Sequence, residues 1–308
     1  MNMAAGTAMS ATAHPTLLEK LSAWSSWVFA GAVFLSVGWI AMAPDDPLNA
    51  VSLLTRRGSL AMLLQAGGLA MITAALVTVA AGRRLPHAGT FAAGLGLAAA
   101  STRGGTTVQM LALGVDGSVD FQSSLALRFA IEAVQWFVVM LCATATSAVV
   151  TQWCHGSASR SGRGDDPIAG YRRPTNAWQH FGITILAGFL VFQVLSQGWA
   201  ARSVQHGQAC FAAAATIGIA AYLAFRIAPV GSPIPSLFGA GVLAILGYLW
   251  ASFRSAPANL PAIVPASPFL RVLPIQLVSV GMAAAVAMYW YVLPALHETE
   301  PTPGDSPA

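Results

Sequence analysis

Charge is scarce in this chain, yet Arg128 and Glu132 stand four residues apart inside one apolar run, 123–150. Counted as a helix from Ser123, Glu132 lies about 14 Å deep, near the centre of a bilayer. An ionisable group there costs at least about 2.5–3.5 kcal/mol and marks a pathway or a partner. Residues at i+3 and i+4 share a helix face. Arg128, Glu132 and Gln135 therefore continue through Val139, Cys142 and Thr146 as a polar stripe expected to point into a bundle. Two chemistries suit the stripe: a site that binds a proton or cation on Glu132, or an ionic fastening between helices. Arginine before glutamate is the weaker order for such a pair, and helical side chains lean toward the N-terminus. Glu132 thus calls for a partner on another helix.

A second group follows a short apolar stretch, 85–101, which stops at Ser101-Thr102-Arg103-Gly104-Gly105 before Thr107 resumes apolar character. Broken or undersized spans can line binding sites, because freed backbone groups face a cavity. Arg103 beside Gly104 and Gly105 would suit an anion near the outer surface. The competing expectation is an ordinary helix end with Gly104 as a left-handed cap.

His87, His155 and His180 form a third group, all at one membrane boundary if the runs are helical spans. Three imidazoles at one level could hold a metal. They come from separate segments without ligand spacing, and His206 lies on the other side, so neither a metal site nor a haem pair is assigned. With arginines to hold a phosphate, His155 or His180 could instead serve an intramembrane enzyme acting on lipids. Cys142, Cys154 and Cys210 make no C-x-x-C pair. No Walker, G-x-S-x-G or H-E-x-x-H motif is present. The sequence assigns no catalytic residue and implies no cofactor.

The elements that must position these residues are set by composition. Of 308 residues 56% are apolar and 8% charged, against about 25% charged in ordinary soluble domains. A surface that poor in charge does not stay dispersed in water, and the mean hydropathy of +0.65 agrees. Disorder is excluded on the same ground, and no basic cluster of the kind that grips nucleic acid appears. A bilayer core about 30 Å thick needs roughly 20 apolar helical residues. Seven runs reach that length: 23–43, 59–82, 123–150, 177–197, 207–225, 234–253 and 272–292. The stretch 85–101 is a short eighth. Backbone groups in lipid must bond within their own segment, so runs of this length are helices.

Eight of the nine tryptophans, Trp24, Trp27, Trp39, Trp153, Trp178, Trp199, Trp250 and Trp290, fall at or near the ends of these runs. Indole prefers the headgroup layer. Only Trp136 sits mid-span. Gln65 and Gln193, lone mid-span amides, read as interhelical hydrogen-bonders. Arg160, Arg163, Arg172 and Arg173 share one loop, and Arg83 and Arg84 follow the second run on the same side, which the positive-inside rule makes cytoplasmic. Arg56 and Arg57 oppose this, partly offset by Asp45 and Asp46. Both termini then lie inside: 1–22 as a cytoplasmic segment and 296–308 as a disordered acidic tail. The first run also carries an Ala41-Met42-Ala43 signal resembling a cleavage site, opposed by Pro44.

The strings Ser101-Thr102-Arg103-Gly104-Gly105 and Gly247-Tyr248-Leu249-Trp250-Ala251-Ser252-Phe253 resemble segments of uncharacterised multi-pass membrane proteins of planctomycete-type bacteria. That resemblance implies no activity. The sequence leads to an all-α polytopic bundle of about eight spans in a bacterial inner membrane, with the lipid bilayer as its solvent. A membrane protein partner or a second copy is possible for it. Its leading reading is a non-catalytic helper subunit or small permease-like module. A transporter built on Arg128 and Glu132, and a lipid-acting enzyme, are the alternatives.

Overall fold

Residues 17–46, 48–56, 58–81, 85–114, 119–159, 174–196, 204–253 and 267–298 are described in the computed structural model. The calls on the first sixteen residues, the arginine-rich 160–173 loop, Arg57, Arg83 and Arg84, and the tail beyond residue 298 lie outside them. Among the described residues there are helices and no strand. The first helix, α1 (Leu17–Val33), passes through a π-helical turn (Phe34–Gly38) into α2 (Trp39–Met42). Then come α3 (Ser59–Ala81), α4 (Ala88–Ser101), α5 (Thr107–Gly114), α6 (Val119–Ser159), α7 (Pro174–Ser196), α8 (His206–Ile227), α9 (Ile234–Ser252) and α10 (Pro274–Glu298).

Seven stretches are long and apolar enough to cross a membrane: Ser25–Met42, Ser59–Ala81, Gln122–Cys154, Asn176–Ser196, His206–Ile227, Ile234–Ser252 and Pro274–Leu293. The protein is a multi-pass, all-α membrane bundle. The short eighth run forms α4, whose 14 residues measure about 21 Å by helical rise. It is not a helix of spanning length but a buried strut. Its glycines explain how it fits. A Cβ on Gly94 would lie 2.6 Å from the Ser279 carbonyl of α10, and one on Gly96 would strike the Phe34 ring.

Side-chain size is sorted inside out. The inward line of α3 is Met62, Ala66, Ala70 and Ala74, while Leu60, Leu64, Ile72, Leu76 and Val79 are exposed. Small residues let backbones approach where no water-driven force pulls helices together. Large ones outside suit hydrocarbon, and would be costly in water. At the centre stands α10, packed against α4, α6, α8 and α9.

Hydrogen bonds show which helix ends lie together. Gly105 N–H donates to the Asn49 carbonyl at 2.8 Å, and His206, at the start of α8, bonds the Gly104 carbonyl at 2.9 Å. The segment before α3, the end of α4 and the start of α8 therefore share one end. At the other, Thr78 of α3 meets Ser147 of α6 at 2.8 Å, and Trp290 of α10 donates to the Pro86 carbonyl at 2.8 Å.

Candidate functional site

The loop between α2 and α3 turns inward at residues 50–53. Ala50 pairs with Gly105 in an isolated parallel bridge, and Val51 and Leu53 are buried. Close approach is possible because residues 104 and 105 are glycines. A Cβ on Gly104 would sit 3.0 Å from the Asn49 carbonyl and 2.9 Å from Val51, and one on Gly105 would collide with the Leu48 carbonyl. Ser52 then caps a 3₁₀ turn, Leu53–Thr55, its hydroxyl accepting from Leu54 N–H at 3.2 Å. Thr55 Oγ1 closes the turn onto the carbonyls of Ala50 and Ser52, both at 2.8 Å.

That turn delivers the Ser52 hydroxyl to Glu132. Ser52 Oγ donates to Glu132 Oε2 at 2.5 Å, and Trp136 Nε1 donates to Oε1 at 2.9 Å from the next turn of α6. Leu53 adds a backbone N–H. Glu132 is 1% exposed and Trp136 is wholly buried. Phe129 and Tyr248 stack edge to face nearby, with centroids 5.5 Å apart, and Tyr248 OH donates to the Val272 carbonyl at 2.7 Å.

The structure does not bring the expected stripe together. Glu132 is buried, Gln135 is half-buried, and Arg128 and Cys142 are exposed. The inward face of α6 is instead Phe129, Ala133, Trp136, Met140 and Ala143. Arg128 leaves it because its long side chain points outward, whereas Glu132 sits where the Ser52 turn meets the helix. Among the described residues no ion pair joins Arg128 to Glu132. Sequence reasoning missed Ser52, and it noted Trp136 without its role. The available signal was a mid-span indole at i+4 from a carboxyl, because a buried indole N–H needs an acceptor.

Arg103 is also committed. Its Nη1 donates to the Leu35 carbonyl at 2.5 Å, within the π-helical turn, and its guanidinium lies 4.9 Å from the Trp39 ring centroid. Arg56 bonds the Ala41 carbonyl in the same region. Arg56 thereby meets one of the last carbonyls of α2, where the helix dipole favours a cation. Gly104 is not a left-handed cap: the α4 cap is Thr102 with φ −77°, and among the described glycines positive φ belongs to Gly58. Gln65, expected between helices, is exposed.

The histidines are dispersed. His206 accepts from Gln276 Nε2 at Nδ1 (2.8 Å) and donates from Nε2 to the Gly104 carbonyl. His180 is buried, bonded through Nδ1 to the Ala228 carbonyl at 2.9 Å and through Nε2 to Ser236 Oγ at 2.6 Å. His87 has φ +63°, and burial lowers its imidazole pKa below the ordinary 6.5. The side chain of His155 lies outside the described set. Among the described residues no group of three histidine, cysteine or carboxylate side chains could hold a metal. No protein-family model, curated protein or solved structure matches the chain.

Proposed function

We propose that this multi-pass protein is a permease-like membrane module in which Glu132 takes up and releases a proton. One observation carries the reading: a carboxyl 1% exposed is held by the neutral donors Ser52 and Trp136, while Arg128 faces away. An ionised carboxyl in a low-dielectric interior is costly unless paired or neutralised. Donors to both oxygens make the charged form tolerable, and a proton makes it neutral. Loading Oε2 also reverses its bond to Ser52, since the acid must now donate. The Ser52 hydroxyl hydrogen then has to turn elsewhere, on the residue that caps the 3₁₀ turn against Gly105. Protonation is thereby coupled to the loop that closes this end of the bundle.

The test is proton entry into liposomes that carry the protein and an internal pH dye, driven by an imposed pH gradient. Wild-type protein should acidify the lumen at least tenfold faster than an equally inserted Glu132→Gln variant. Equal rates reject the reading. A second reading, a helper subunit in which Glu132 only fastens the loop, draws on the same Ser52 bond. It predicts equal proton rates with a lower thermal stability for Glu132→Gln.

A further inference from the structure

We propose that Ser236 and His180 form a nucleophile–base dyad that cleaves acyl esters of membrane lipids, at the end of the bundle away from Glu132. The two hydrogen bonds of His180 fix its tautomer. Nδ1 must carry the hydrogen, because its neighbour at 2.9 Å is the Ala228 carbonyl, which can only accept. Nε2 is then the free base, and at 2.6 Å it receives the Ser236 hydroxyl. A serine bonded to a base that a third group orients is the arrangement by which a weak hydroxyl becomes a nucleophile.

Three helix ends supply what the dyad needs. Ala228 caps the C-terminus of α8, where the helix carries about half a negative charge. Its carbonyl thus orients the imidazole and favours the imidazolium formed during reaction, the part an aspartate plays in a triad. Ser236 lies in the first turn of α9, where backbone N–H groups lack helical partners. Pro233 and Pro235 have none to give, and Ile234 N–H is directed to Ser232 Oγ at 3.3 Å. The amide of Ser236 itself remains as the donor toward a developing oxyanion. The site sits beneath the short 228–233 connection, which Tyr289 OH holds through the Gly231 carbonyl at 3.1 Å and Asn176 holds through Pro229 at 3.5 Å. Ser236 and His180 have no exposed surface in this state, so substrate enters when that connection opens. His180 lies in the second turn of α7 and Ser236 in the first turn of α9, both near the ends of apolar stretches long enough to cross a membrane, and the end of a span is where a bilayer's hydrocarbon meets its polar headgroup region.

The chemistry balances with water as the second substrate. Ser236 Oγ bonds to the ester carbonyl carbon while its proton passes to His180 Nε2. The carbon–oxygen bond to the alcohol breaks as Nε2 returns that proton to the leaving oxygen. Water, deprotonated by the same nitrogen, then releases the carboxylic acid and restores the hydroxyl.

The experiment uses full-length protein in detergent micelles and a long-chain alkyl fluorophosphonate. The adduct should map to Ser236 by mass spectrometry, vanish in Ser236→Ala, and form at least about a hundredfold more slowly in His180→Gln. No adduct on wild-type protein, or an adduct on another residue, overturns the proposal. So does equal labelling of wild type and His180→Gln. If His180→Gln does not fold, the position of the wild-type adduct still decides. Proton flux through Glu132 is untouched by either outcome.

Discussion

The Ser52 hydroxyl lies 2.5 Å from Glu132 Oε2 across eighty residues of chain, joining a loop to the interior of α6. Removing it leaves a buried carboxyl one donor short, a loss of about 1–3 kcal/mol. Ser52→Ala should therefore lower the midpoint of thermal unfolding in detergent. Trp136→Phe, which deletes the N–H to Oε1 together with part of the buried indole, should act in the same direction. If Glu132 is the shared partner, the two losses will be smaller in a Glu132→Gln background.

Gly105 is the point where that loop and the end of α4 touch. An added Cβ would meet the Leu48 carbonyl, so Gly105→Ala must push the loop away and strain the Asn49 bond. Overpacking of this kind costs about 1–3 kcal/mol. Gly58→Ala is the control with a different cause, because no atom stands within 4 Å of its added Cβ but φ is +84°. Hydrogen exchange at residues 49–55 should rise in the first variant and not in the second.

Arg103 lies over Trp39 and bonds Leu35. An exposed cation–π contact is worth about 0.5–1 kcal/mol, so Arg103→Ala should shift the unfolding midpoint less than Gly105→Ala does. A larger shift for Arg103→Ala would show that the arginine organises the π-helical turn.

Burial depresses the folded-state pKa of His87 below its ordinary 6.5. The unfolded chain then binds the proton more readily, so stability rises with pH across the window between the two values. The contribution is fully present above about pH 6.5 and is lost as pH falls through the lower, folded value. Unfolding midpoints of wild type should drop on acidification in that range, and His87→Asn should flatten this part of the profile.

Much of this fold could be read from apolar run length, because lipid forces each run to satisfy its own backbone. Burial inside the bundle was harder to read. The run that became α4 is built of glycine and alanine, and such residues serve equally for lipid-facing and helix-facing sides. Only the neighbours Phe34, Ala74 and Ser279 decide that it is a buried strut. In the candidate site, Glu132 stood out as a mid-span charge. Its partner did not, because Ser52 lies in a loop and its arrival depends on the Gly105–Asn49 contact, a pairing between residues far apart in sequence. Arg128 misled because helical spacing of three and four defines a face only loosely. The true inward face of α6 follows Phe129, Trp136 and Met140. Ser236 and His180 share no sequence spacing at all; three helix ends bring them together.

The central claim, that Glu132 exchanges a proton within the bundle, is tested most directly by infrared difference spectroscopy of the protein in lipid as pH is stepped. The account predicts a protonated-carboxyl C=O band that grows on acidification, shifts in Ser52→Ala, and is missing from Glu132→Gln. A pH-dependent band that persists unchanged in Glu132→Gln, or no such band in wild type at any pH, would contradict it.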